Sequence, residues 1–224
     1  MSADDTGTSL STWLATWQPE SAAVVAARAR AAEVGVAGVD APTGATLRIL
    51  AAAAGARAVI ELGTGAGISA LYLLDGMPED GILTSIDSES EHQRLAKQSL
   101  TEAGYASGRA RLIAGRALEV LPRLSDAAYD LVFCDAARSE NRDYLAAAAR
   151  VLRPGGVVVF AGALNGGKVA EPHVRDTDTV GMRDLLKTVR DDERFTAAVL
   201  PVGAGLLVAT TGPVATTGAA ATMG

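Results

Sequence analysis

A doubly wound α/β fold with a mainly parallel sheet is predicted by three features of the 224-residue sequence. From residue 57 onward, short β-branched runs alternate with helix-length segments. The connections between the first five strand candidates are long enough for the crossovers that parallel pairing needs. The first of these strands runs directly into a Gly-rich turn and a helix, an arrangement typical of open parallel sheets.

The elements follow in chain order. Residues 1–20, polar at their start, and residues 212–224, low in complexity, are expected to be mobile ends. Residues 21–34 are Ala-rich, with Arg28, Arg30 and Glu33, and read as a helix ending before Gly35. The loop GVAGVDAPTG leads to a second helix over about residues 45–54. Residues 21–56 thus form covering helices, and residues 57–211 form the core of one domain. Strand candidates are AVIEL, ILTSID, ARLIAG, YDLVFCD, GVVVFA, FTAAVLPV and GLLVATT. Helical stretches separate the first five, over residues 68–75, 89–103, 116–124 and 143–152. The last two strands are divided only by Gly203-Ala204-Gly205, which reads as a hairpin and brings an antiparallel strand into the sheet.

Composition narrows the function. Hydrophobic residues make up 49% and charged residues 21%, as in globular proteins, while aromatics reach only 4%, so Ala, Val and Leu must fill the core. A net charge of −6 without a basic run argues against a nucleic-acid partner. No apolar run reaches the ~18 residues of a membrane span, and MSADDTGTSLSTW lacks the pattern of a secretion signal. The lone Cys134 cannot form an internal disulfide. A cytoplasmic protein with a small-molecule partner is expected.

The strongest chemical signal is AVIELGTGAGISALYLL. Its glycines, Gly63, Gly65 and Gly67, let the backbone turn tightly and approach a ligand at the carboxyl end of a strand. The next strand ends in Asp87, about 20 residues further on, where a carboxylate can accept from both hydroxyls of a ribose. Together they point to a nucleoside-bearing cofactor. Ile68 stands where a dinucleotide fingerprint needs its third glycine, which weakens the nicotinamide reading, and the loop fails the phosphate-loop pattern because no Gly-Lys-Ser/Thr ending is present.

ELGTGAG, with an acid two residues before the first glycine, resembles motif I of class I S-adenosylmethionine-dependent methyltransferases. From about residue 38 to 209 the chain is similar to the cation-dependent O-methyltransferases that include catechol and caffeoyl-CoA methyltransferases and bacterial relatives. The matching segments are ELGTGAGISALYLL, LTSIDSESEHQRLAKQSLTEAG, LIAGRALEVLPRL, YDLVFCDAA, VLRPGGVVVF and LNGGKV. The resemblance implies a Rossmann-like methyltransferase fold with a seven-stranded sheet, S-adenosylmethionine as cofactor, S-adenosylhomocysteine as product, and a homodimer. It further implies that Glu61, Gly63, Thr64, Gly65 and Ser69 surround the aminoacyl part of the cofactor and that Asp87 holds the ribose. Gly115, Arg116 and Ala117 would flank the adenine, and Val39 would touch the cofactor from above.

Two departures bear on mechanism. Relatives hold a divalent cation between an Asp closing the fourth strand and an Asp-Asn pair after the fifth; here Asp135 remains, but Ala161 and Gly162 stand at the pair. One carboxylate is a poor magnesium site, so no tightly bound metal is expected, with Asn165 an imperfect substitute. Arg138 falls where relatives often carry a lysine base; a guanidinium stays protonated and cannot serve as one, although it can bind an anionic substrate group. Asp135 is then the candidate catalytic residue, as base or substrate anchor, and it also adjoins the cofactor.

Other candidates carry ordinary explanations. His92 reads as a solvated helix-start residue, His173 and Lys168 as polar groups on a segment able to lid the site, and Tyr144 as a packing or substrate-facing residue. Trp13 and Trp17, four apart, share a helix face and are expected in core or interface packing. Methyl transfer to a hydroxyl of a small, phenolic acceptor without a bound metal is the leading reading. A cofactor-binding dimeric protein that has lost catalysis is the alternative, and a nucleotide-dependent oxidoreductase lacks any hydride-transfer constellation.

Overall fold

A computed structural model describes Trp13 and residues 16–212. Its centre is a seven-stranded sheet: β1 (Ala58–Leu62), β2 (Ile82–Asp87), β3 (Ala110–Ala114), β4 (Tyr129–Cys134), β5 (Leu152–Ala161), β6 (Phe195–Leu200) and β7 (Leu206–Thr211). The strands lie in the order β3-β2-β1-β4-β5-β7-β6. The first five are mutually parallel, while β7 runs antiparallel to both β5 and β6. The predicted fold class and the hairpin at Gly203-Ala204-Gly205 therefore hold, and β7 enters the sheet between β5 and β6.

The period-2 alternation of the central strands builds two cores. Val59, Leu83, Leu131, Phe133, Val157 and Val159 face one layer, formed by α1 (Ala22–Glu33), α2 (Ala41–Ala53), α3 (Ile68–Gly76) and α4 (Ser90–Glu102). Ile60, Leu62, Ile86, Val132, Val158 and Phe160 face the other, formed by α5 (Ala117–Val120), α6 (Asn141–Val151) and α7 (Thr177–Asp191). Strand segments buried on both faces read as mostly apolar runs, as in residues 131–134 of β4, 157–160 of β5 and, apart from the buried Glu61, 59–62 of β1.

Several boundaries differ from the sequence reading. α2 begins at Ala41 rather than near residue 45, because the Asp40 side chain accepts from Thr43 N–H at 2.8 Å and Pro42 suits the first turn. The stretch expected as one helix over residues 116–124 is a short α5 followed by a 3₁₀ turn, Leu121–Arg123, with Pro122 at the junction. α6 starts two residues early, after a 3₁₀ turn at Arg138–Glu140. α7 lies outside the predicted helices; the Asp176 cap opens it, and Met182, Leu185 and Val189 bury its inner face. Of the two expected mobile ends, residues 1–12, 14, 15 and 213–224 lie outside the described residues. Trp13 and Trp17 stack with centroids 6.4 Å apart, yet they are 56% and 69% exposed, so they are not core residues. No helix among the described residues is long and apolar enough to cross a membrane.

The strand order reverses between β1 and β4, and the crevice opens at the carboxyl ends of those strands. Gly63 N–H donates to Ile86 O at 2.9 Å, Gly115 N–H to Asp87 O at 2.9 Å, and Asp135 N–H to Leu62 O at 2.8 Å. These bonds continue the sheet ladder by one residue and fix where each loop leaves its strand.

Candidate active site

Three adjoining cavities line the crevice. The first, about 160 Å³, is walled by Gly38, Val39, Gly63, Thr64, Gly65, Ser69, Asp87, His92 and Asp135. The second, about 370 Å³, shares Gly63, Asp87, His92 and Asp135 with it and extends over Gly115, Arg116, Ala117, Glu140 and Tyr144. The third, about 340 Å³, shares Gly38, Val39 and Asp135 and is bounded by Asp40, Thr43, Arg138, Ala161, Gly162 and the tip of the β6-β7 hairpin. Asp135 is the one residue common to all three.

The glycine turn is held by Asp87. One carboxylate oxygen, Oδ2, accepts from Thr64 N–H and Gly65 N–H, each at 3.0 Å, and lies 3.1 Å from His92 Nδ1. The other, Oδ1, accepts from Glu89 N–H at 2.9 Å, which also opens α4. Oδ1 keeps a lone pair for a further donor. Gly63 is required sterically: at φ 94° an added Cβ would lie 2.2 Å from the Asp135 carbonyl oxygen. The turn and the end of β4 therefore approach more closely than any side chain allows.

Beneath the turn lies a buried polar network. Ser85 Oγ donates to Glu61 Oε2 at 2.5 Å, Ser85 Oγ and Thr64 Oγ1 are 2.6 Å apart, and Gln93 Nε2 donates to Thr64 Oγ1 at 3.0 Å and to Ile113 O at 3.1 Å. Glu61 is fully buried, and its Oε1 has no hydrogen-bond partner among the described residues. Burial pushes its pKa up to about 7; the nearby Ser69 and Ser85 hydroxyls oppose this, and the Asp135 and Asp87 carboxylates reinforce it. Asp87 and Asp135 line the narrow first cavity, with Glu61 buried behind it, and a cationic group placed there relieves their mutual repulsion.

Asp135 is open to solvent on its cavity side but otherwise surrounded by protein. Burial raises its pKa, and the Arg138 guanidinium partly offsets the shift. At the far end of the crevice, Arg116 pairs with Glu140 at 2.9 Å, and Tyr144 OH donates to the other Glu140 oxygen at 2.6 Å. This bridge closes the rim of the second cavity.

Val39, Gly63, Thr64, Gly65, Ser69, Asp87, Gly115, Arg116, Ala117 and Asp135 all reach cavity walls. Glu61 lines none of the three cavities and sits behind the turn. His92, read from sequence as solvated, instead lines two cavities beside Asp87, because the first turn of α4 folds back toward the strand end. His173 is 81% exposed, 3.4 Å from Glu171, and away from these cavities. Asn165 spends both ends of its amide elsewhere, accepting from Arg138 Nη1 and donating to Thr179 Oγ1, each at 2.7 Å, so it is not placed as a spare metal ligand. Glu140 and Asp40 were not singled out from sequence; both follow a strand end or open a helix at the crevice, and that position is the available signal.

The metal set fits poorly. Beside Asp135 the third cavity offers only one other carboxylate, Asp40, whose Oδ1 is committed to the α2 cap, and Ala161 and Gly162 supply no side-chain donor. No group of three or more His, Cys, Asp or Glu residues able to hold a metal occurs among the described residues.

Comparison with known proteins agrees with this architecture. The O-methyltransferase family model matches residues 23–211. A protein of Mycobacteroides abscessus, provisionally named an O-methyltransferase, is 53% identical over 187 residues, covering 84% of this chain and 87% of its own. A crystal structure from Corynebacterium glutamicum superposes with a TM-score of 0.87 at 38% identity, covering 92% of this chain and 97% of that one. The O-methyltransferase TomG of Streptomyces achromogenes, involved in tomaymycin synthesis and solved in complex with S-adenosylmethionine, gives a TM-score of 0.87 at 30% identity over 95% of this chain and all of its own. With the family model spanning nearly all of the described fold and close relatives along most of their length, the chain belongs to the O-methyltransferase family.

Proposed function

We propose that the protein binds S-adenosylmethionine across the first two cavities and transfers its methyl group to a hydroxyl of a small, phenolic acceptor in the third, without a resident divalent metal. The observation that carries this reading is the meeting of all three cavities at Asp135, directly above a turn crowded by carboxylates. A ligand carrying an ammonium and a sulfonium is complementary to that cluster. TomG, with the same fold, was solved with this cofactor.

Asp87 Oδ1 has the acceptor capacity for ribose hydroxyls, and Gly115, Arg116 and Ala117 wall the space for a flat base. Gly63, Thr64, Gly65, Ser69 and Val39 enclose the aminoacyl end, with Glu61 supplying negative charge from behind. When bound, the cofactor supplies an activated methyl group with its own leaving group. The chain's task is to align the acceptor oxygen and exclude competitors. Asp135, on the boundary of cofactor and acceptor cavities, accepts the hydroxyl proton at a carboxylate oxygen.

Isothermal titration with S-adenosylmethionine tests the cofactor assignment, and absence of heat and of thermal shift at millimolar cofactor overturns it. S-adenosylhomocysteine formation on an acceptor panel in chelator tests catalysis. Tight cofactor binding with no product on any acceptor would favour a protein that has kept the cofactor and lost the chemistry. We further place the protein in the cytoplasm as a homodimer, supported by its single buried cysteine and the exposed Trp13-Trp17 stack; light scattering reads the oligomeric state.

A further inference from the structure

The third cavity contains a cation of its own. Arg138 stands on the 3₁₀ turn after β4 and reaches across to the end of β5, where Gly162 leaves room for it: a Cβ there would lie 2.6 Å from Arg138 Nη2 and 3.1 Å from Cζ. Nη1 donates to Asn165 Oδ1 at 2.7 Å, Asn165 donates to Thr179 Oγ1 at 2.7 Å, and Thr179 is held in turn by Asp176. Among the described residues the nearest carboxylate, Asp178, is 3.9 Å away and largely exposed, a loose pair, and Asp135 across the cavity feels the guanidinium's charge without forming an ion pair with it. One nitrogen is thus fixed by the protein, while Nη2 lies over Gly162 beside the cavity.

We infer that the Arg138 guanidinium, seated over Gly162, takes the place a divalent cation would hold and selects an acceptor whose reacting hydroxyl adjoins a carboxylate. This rests on the proposed methyltransferase function and names its substrate class. A guanidinium binds a carboxylate through two parallel N–H donors, a fork that a planar hydroxy-carboxylate matches and a neutral amide does not. Part of the wall is apolar, with Ala37, Gly38, Val39, Ala161 and Leu206 around a volume of about 340 Å³, suited to a single-ring acceptor. Two carboxylates also face this space. Asp40 has one oxygen engaged by Thr43 N–H. Asp135 is the partner for the hydroxyl, so the acceptor carboxylate is directed to the Arg138 side. Glycine at position 162, where the family resemblance implies a metal ligand, is also what leaves room for the arginine.

The test uses the S-adenosylhomocysteine-saturated protein in EDTA and titrates salicylate against 2-hydroxybenzamide, its neutral near-isostere. The expected result is at least tenfold tighter binding of salicylate by the wild type, falling below twofold in Arg138→Met. Arg138→Lys, which keeps the charge without the fork, is expected to be intermediate. Gly162→Ala, which keeps the arginine but displaces it, is expected to lose most of the preference. Affinity for S-adenosylhomocysteine should change less than threefold in each variant, and this confirms that each is folded. Lack of preference in the wild type, retention of it in Arg138→Met, or its appearance only on adding magnesium overturns the inference. Failure of S-adenosylhomocysteine itself to bind would instead overturn the underlying methyltransferase reading.

Discussion

Replacing Glu61 by Gln should remove a pH-dependent weakness built into the fold. In the native state this carboxyl has a pKa of about 7, against an ordinary 4.5 in the unfolded chain. Between those values the unfolded chain is ionised while the folded one remains protonated, so stability falls as pH rises through this window and the full deficit is present above pH 7. At about 1.4 kcal/mol for each tenfold change in a protonation equilibrium, the loss between pH 5 and pH 8 is about 2 to 3 kcal/mol. Gln keeps the acceptor that Ser85 Oγ uses and cannot ionise. Urea unfolding of cofactor-free wild type and Glu61→Gln at pH 5 and pH 8 measures the effect as a difference of differences. The variant should gain about 2 to 3 kcal/mol on the wild type over that interval. Parallel stability profiles for the two proteins would refute the reasoning.

Other perturbations test neighbouring parts of the site. A cation in the first cavity favours ionised Glu61, so S-adenosylmethionine binding near pH 6 should release protons, visible in calorimetry as heats that vary with buffer ionisation enthalpy; buffer-independent heats count against the assignment. Asp87→Ala removes the proposed ribose acceptor and the acceptor of the Thr64 and Gly65 N–H groups. At about 1.5 to 3 kcal/mol for hydrogen bonds to a charged group, cofactor affinity should fall by about 10- to 100-fold, and a loss under threefold contradicts the ribose role. Gly63→Ala drives a methyl into the Asp135 carbonyl and should cost about 2 kcal/mol or more of stability, read by thermal unfolding, together with cofactor binding. Turnover should be equal in EDTA and in magnesium once an acceptor is found; a tenfold fall in EDTA sinks the metal-free reading.

How much was legible in the sequence depends on how local the cause is. β1, β2 and the turn between β1 and α3 follow from adjacent residues, since a buried strand, three glycines and a helix leave few alternatives, and Asp87 lies at the end of the next strand. The start of α2 was misplaced although its cap, Asp40, and Pro42 were both in view, because an Ala-rich stretch gives no sharp periodicity to anchor the first turn. α7 begins in a polar stretch, and its apolar face becomes apparent only once the sheet gives Met182, Leu185 and Val189 something to cover. His92 illustrates a different limit, since its contact with Asp87 depends on the rotation of α4 about its axis. That Ala161 and Gly162 carry no side-chain donor is readable from the sequence, but the arginine seated over that glycine comes from another strand end, and only the folded sheet brings the two together.

The tip of the β6-β7 hairpin is tied to the segment after β5 by two backbone bonds, Ala163 N–H to Gly205 O at 2.9 Å and Leu164 N–H to Ala204 O at 3.0 Å, and it forms one side of the third cavity. It takes no part in the walls of the other two. Under the proposed function the hairpin tip bears on the acceptor alone, whereas Gly38, Val39 and Asp135 border both ligands. Within the tip, Ala204 is the position open to exchange, since a Cβ at Gly203 would lie 2.4 Å from Thr43 Oγ1 and one at Gly205 would lie 2.5 Å from the Leu164 side chain, so libraries aimed at altered selectivity have that single residue as a place to begin.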